Sequence, residues 1–215
     1  MSLLPVTEAI QRLTGEGLLE SRPQVGTRVR IPSERDVREG FVVREALETQ
    51  SARLFCQHAT GRQRDDLKQM AENLDVLLSR REGQAADAGL LYAIHGFHLD
   101  FHMRIAEHSG CAALRELIDK NNVLVLNWIY DMAGAQSPPP AGFHIRLAAQ
   151  LCGGDPDSAV AAMREHVGWG IEQTLEAIRL TRQQADGRWR LRGQPENQPS
   201  VEAESFEVES FEIEN

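Results

Sequence analysis

Apolar residues recur every three or four positions along most of this chain, the spacing that puts one stripe on a helix. Val6, Ile10 and Leu13 predict a short helix from Pro5 to about Glu16, stopped by Gly17. The stretch LLESRPQVGTRVRI then changes period, and Leu18-Leu19, a turn over Pro23 to Gly26, and Val29 with Ile31 predict a two-stranded hairpin. Pro32-Ser33 breaks the chain, and Ser33 with Asp36 three positions on forms a capping-box pattern that should start a long helix reaching about Thr60. Val37, Phe41, Leu47, Ala52 and Phe55 are its apolar set.

Further stripes predict helices over about Arg62–Arg80 (Leu67, Met70, Leu74, Leu77), Ala88–Ser109 (Leu91, Ile94, Phe101, Ile105) and Ala112–Met132. Pro138-Pro139-Pro140 forbids continuation, since proline lacks the N–H and clashes with the preceding turn. A helix over about Ala141–Leu151 should end at Gly153-Gly154, and Asp155-Pro156 should start one carrying Val160, Met163, Val167, Ile171, Leu175 and Ile178. The stripe ends near Arg182. The expected fold class is all-α: an antiparallel bundle of six to seven helices over 32–182, preceded over 1–31 by one helix and a hairpin. A tail over 183–215 follows. Its segment from Gln194 to Asn215 has seven glutamates, two prolines and no basic residue, so it should be acidic and disordered.

A net charge of −9 excludes a protein coated in nucleic acid, so any DNA contact must come from a local patch. The first 31 residues are close to neutral, with Arg12, Arg22, Arg28 and Arg30 against three glutamates. The three cysteines, Cys56, Cys111 and Cys152, contain no CxxC pair and read as reduced thiols. Glu8 and Arg12 interrupt any apolar leader, and no stretch reaches the roughly 18 apolar residues of a membrane span, so a cytoplasmic protein is expected.

Histidine is the one residue type placed tellingly for chemistry. His98 and His102 lie four apart, on the helix face that carries Leu91, Ile94 and Ile105. His144 opens one later helix and His166 sits a turn after Met163 on the last. Four imidazoles from three helices can converge inside a bundle, where nitrogen ligands suit Zn, Ni, Cu or Fe. The plainer reading is hydrogen-bonded core histidines. His58, His95 and His108 read as exposed or helix-end residues.

Residues 5–31, PVTEAIQRLTGEGLLESRPQVGTRVRI, resemble the recognition helix and wing of the GntR superfamily of bacterial regulators. FVVREALE, FHLDFHMRIAEHSG and GFHIRLAAQLCGGDPDSAVAAMREHV resemble the ligand-binding FCD domain of its FadR-type branch. The resemblance implies a homodimeric DNA-binding regulator, a repressor, whose helical domain binds a small carboxylate effector through a divalent transition metal, zinc or nickel. Family ligands are an aspartate and three histidines; the histidines fall on His102, His144 and His166, and the aspartate position is His98. Arg44 matches a family arginine able to hold the effector carboxylate, and otherwise reads as a surface pair with Glu48. Thr7, Arg12 and Arg28 fall where DNA contacts are expected, with Thr7 in place of the usual arginine. Cys111 replaces a common asparagine after Ser-Gly, leaving that helix cap in question. The family's winged module starts two helices earlier, so this one is expected to be incomplete and to bind operator DNA only when completed. Two other readings remain: a stand-alone sensor module without DNA binding, and a helical metalloenzyme. The latter lacks a placed general base, with no HExxH and with Asp100 and Glu107 directed elsewhere.

Overall fold

The computed structural model describes residues 3–22, 26–80, 88–121 and 139–193, and of 181–193 the backbone alone. Helix α1 (Leu3–Gly15) leads into strands β1 (Leu19–Arg22) and β2 (Gly26–Val29), then come α2 (Glu34–His58), α3 (Gly61–Ser79), α4 (Ala88–Glu107), α5 (112–121 within the described residues), α6 (Phe143–Cys152) and α7 (Pro156–Gly193). The strands pair antiparallel in one register, Leu19 opposite Val29 and Glu20 opposite Arg28.

The predicted capping box at Ser33 is present. The Ser33 hydroxyl accepts from the Asp36 N–H at 3.1 Å and the Asp36 carboxylate accepts from the Ser33 N–H at 2.8 Å. Asp36 also accepts from Arg30 at 2.6 Å, which ties the hairpin to the start of α2. Thr60 and Gln63 build the same device on α3. At α7 the Asp155 carboxylate accepts from the N–H groups of Asp157 and Ser158, and Pro156 occupies the first helical position, where a missing N–H costs nothing. Cys111 does not cost α5 its start: the Ser109 hydroxyl accepts from the Cys111 N–H at 3.2 Å.

Helix α2 runs through the middle and packs chiefly on α7, while α3 packs on α6 and α4. Val37, Ala52, Phe55, Leu67, Leu74, Phe101, Met163, Leu175 and Ile178 form the fully buried core. Removing apolar area of this kind from water is the main drive for the bundle.

Helix α1 is different. Apart from half-buried Ile10 and Leu13, its described residues are exposed, with Leu4 and Val6 among them. Among the described residues it packs chiefly on the hairpin. The helix expected to stop near Arg182 continues as backbone to Gly193, because arginine, glutamine, alanine and leucine outnumber the poorer helix formers Asp186, Gly187 and Trp189 and no proline interrupts them. The acidic stretch 194–215, expected to be disordered, lies outside the described residues, as does most of the segment predicted helical to Met132.

Candidate functional site

His98 and His102 come one turn apart on α4, His144 comes from the first turn of α6, and buried His166 comes from α7. Their rings meet. The Nε2 atoms of His98 and His102 are 2.9 Å apart, those of His102 and His166 3.2 Å, and those of His98 and His166 3.4 Å. His144 closes the group, its ring centre 5.0 Å from that of His98 and 5.1 Å from that of His166. One nitrogen each of His98, His144 and His166 lies within 4.8 Å of the other two.

Two carboxylates fix how these rings present themselves. On α2, Glu48 is buried, and its Oε2 lies against His102 Nδ1; neither atom has another partner. On α3, Asp75 Oδ1 accepts from His144 Nδ1 at 2.7 Å. Each carboxylate therefore holds the proton of its histidine on Nδ1 and leaves Nε2 as a bare lone pair. The His144 Nε2 is buried without a hydrogen-bond partner.

Asp75 has a second task. Gly142 precedes α6 in the left-handed region (φ 68°), which favours glycine, and offers no side-chain cap. Asp75 supplies one from the neighbouring helix, accepting from the backbone N–H groups of His144 at 3.3 Å and Ile145 at 3.1 Å. The His166 ring stacks on Phe143, with 4.6 Å between centres.

Burial is the main force on the titrating groups. It pushes His98 and His166 well below the ordinary histidine range, with neighbouring imidazoles adding to the effect. It also lowers His144, although Asp75 opposes it. For Glu48 burial pushes the carboxyl up, but Arg44 and His102 together outweigh it and bring it down to about 2. The cluster thus sets the imidazoles of His98, His144 and His166, lowered in pKa, in front of ionised carboxylates.

Arg44 is buried. Its Nε donates to Glu48 Oε1 at 2.6 Å and its Nη2 lies 3.5 Å from His102 Nε2. The pairing with Glu48 four residues on is real, but it is not the surface pair expected from spacing. Arg44 and the imidazoles of His98, His144 and His166 face a cavity of about 80 Å³. At about 10–15 Å³ per water position, it holds a small polar molecule. Phe41, Phe143 and Trp169 give it aromatic walls, Gln173 and Thr174 add polar groups, and among the described residues no carboxylate lines it.

His95 corrects the expectation that it is exposed. It is buried on α4 and lines this cavity. His58 is exposed and contacts the Ser109 carbonyl at 2.9 Å, while His108 is half-buried against Gln63, so both stand apart from the cluster. Asp100 and Glu107 are exposed on the outer side of α4. Glu48 and Asp75 were not singled out as site residues from the sequence; Glu48 is 54 residues from His102 and Asp75 is 69 from His144, and only folding brings them together.

Of the residues expected to contact DNA, Thr7 and Arg12 are exposed on α1 and Arg28 is exposed on β2. Arg12 lies 3.7 Å from Glu16 and Arg28 pairs with Glu20 across the hairpin, so a glutamate stands beside each cation.

The model of the FCD domain matches residues 39–168, well over half of the chain and including all four histidines. The chain belongs to the FCD-domain branch of the GntR-type transcription regulators. It is 32% identical over 184 residues to a probable D-xylose utilization operon transcriptional repressor of Paenarthrobacter nicotinovorans, covering 82% of this chain and 74% of that protein. It is 28% identical to the transcriptional repressor RspR of Escherichia coli K12, covering 86% and 76%. Among solved structures, E. coli McbR/YncC has the same fold, with a TM-score of 0.66 at 22% identity over 82% of this chain and 81% of that one. These relatives are regulators of transcription rather than enzymes, and the FCD domain here is all-helical, as the resemblance implied. Among the described residues no helix is long and apolar enough to cross a membrane.

Proposed function

We propose that this FCD domain is a metal-dependent carboxylate sensor that controls the operator affinity of a homodimeric repressor. The carrying observation is the meeting of four imidazoles backed by Glu48 and Asp75. Nitrogen ligands about 2.0–2.1 Å from one metal lie about 2.8–3.4 Å from each other at right-angled or tetrahedral positions. The three Nε2 separations of 2.9 to 3.4 Å fit that range. Metal-bound histidines characteristically give their other ring N–H to a carboxylate, as His102 and His144 do here. An orphaned, buried Nε2 on His144 is costly unless something takes its lone pair.

His98, His102, His144 and His166 would hold the ion. A set of neutral nitrogens suits zinc or nickel, and a bound ion would supply Lewis acidity toward an anionic guest. Charge supports such a guest. Arg44, Glu48 and Asp75 sum to +1 − 1 − 1 = −1, and a divalent cation among imidazoles brings the buried assembly to +1. Arg44 can meet a carboxylate with paired N–H groups. The cavity size and the lack of acidic side chains among the described residues that line it fit a small carboxylate.

The test is a gel shift on operator DNA with the zinc-loaded protein in a form with a complete winged module. Retardation that a small carboxylate reverses supports the reading. DNA affinity indifferent to zinc and to a panel of small carboxylates contradicts it.

A further inference from the structure

We propose that Glu48 is a positioning residue that couples anion binding at Arg44 to metal binding at His102. This rests on the proposed metal-dependent sensor. Glu48 divides its carboxylate between two partners, Oε1 taking the Arg44 Nε–H at 2.6 Å and Oε2 facing His102 Nδ1. It is buried, 2% exposed. One side chain on α2 therefore orients the guanidinium that faces the cavity and the imidazole that faces the other three rings.

The coupling comes from the remaining contact in this triangle. With its proton held on Nδ1, His102 has one ring lone pair, on Nε2. Arg44 Nη2 lies 3.5 Å from that atom. A metal ion that takes the lone pair displaces the guanidinium N–H and sets a second positive charge beside it. A buried donor without an acceptor is costly, and two cations so close repel each other. Glu48 cannot relieve this by swinging over, because its other oxygen is committed to His102. An anion between the ion and Arg44 relieves both penalties. Metal binding thus strengthens anion binding, and by linkage the anion strengthens metal binding by the same factor.

Glutamine at position 48 has one carbonyl oxygen and no charge. It can accept from Arg44 or from His102, not from both. Aspartate keeps the charge beside Arg44 but is one methylene too short to reach both partners.

The experiment measures Zn2+ affinity of the full chain by competition with a chromophoric chelator, with and without saturating acetate. In the wild type acetate should tighten Zn2+ binding by about fivefold or more. In Glu48→Gln, with its fold checked by circular dichroism, Zn2+ affinity should fall about 10- to 100-fold and acetate should no longer change it. Glu48→Asp, which avoids stranding the arginine charge, should also lose the acetate effect, and it decides the matter if the glutamine variant does not fold. A purely structural role would weaken zinc binding without touching the acetate ratio. Wild-type linkage surviving in either folded variant overturns the inference and leaves the sensor reading standing, as does a wild type whose Zn2+ affinity ignores acetate. A wild type that binds no Zn2+ overturns both, and does so before any variant is made.

Discussion

Asp75 caps α6 from a neighbouring helix and also holds the His144 ring, so its loss should be felt in two ways. Asp75→Asn keeps the shape but removes the charge. Zinc affinity should fall by about 10- to 100-fold, measured by chelator competition. Unchanged affinity would show that the carboxylate does not orient a ligand. The imidazoles also set the pH response of the metal-free protein. Below about pH 6.5 an unfolded chain protonates its histidines, while folding keeps His98 and His166 neutral to much lower pH. The unfolded state then binds more protons, so stability falls with pH, by up to about 1.4 kcal/mol per unit for each such group. Glu48 and Asp75, held below their ordinary values, add a loss in the same direction as pH falls through the carboxylate range. The melting temperature of chelator-treated protein should drop between pH 7 and pH 5; a flat profile there would contradict the burial of these rings.

At this scale the sequence was only partly informative. His98 and His102 share a helix face because they are four apart, which one sequence shows directly. That the ring of His144 would meet them depends on a left-handed Gly142 and on an aspartate 69 residues away, on α3. His95 was misread because three residues before an inward histidine is also inward on a helix, and the pairing of His98 with His102 drew attention past it.

Helices and caps carry the next level. Ser33 and Asp36 close a capping box on α2, the helix that presents both Arg44 and Glu48. Ser33→Ala should cost about 1 kcal/mol. In a chain of this size that is a fall of about 2–4 °C in melting temperature, readable by circular dichroism. No change would mean the Asp36 side of the box, which also binds Arg30, is enough alone. Element boundaries were legible where a breaker or a cap exists: Pro156, Gly153-Gly154 and Ser33 all mark true ends. They were illegible where the signal was only fading periodicity. Helix α7 outlasts its apolar stripe because a missing stripe removes a packing partner, not the backbone's ability to hydrogen-bond.

For the whole molecule, the division of labour follows from charge and exposure. Helix α1 and the hairpin, the elements expected to read DNA, carry exposed Arg12 and Arg28, each beside a glutamate, on a chain of net charge −9. If these arginines meet phosphate, Arg12→Ala and Arg28→Ala should each weaken DNA binding about equally across sequences and lower the salt slope by about one, in fluorescence anisotropy with a complete winged module. An unaltered salt slope would move the contact elsewhere.

The metal proposed for the bundle is open to the most direct measurement: elemental analysis of the chain purified without chelators and without a nickel column. About one zinc or nickel per chain is expected, lost in His144→Ala and in His166→Ala but kept in His108→Ala, whose ring lies outside the cluster. A metal-free wild type, or a metal content that survives the loss of His144 and of His166, would contradict a metal centre built by these imidazoles.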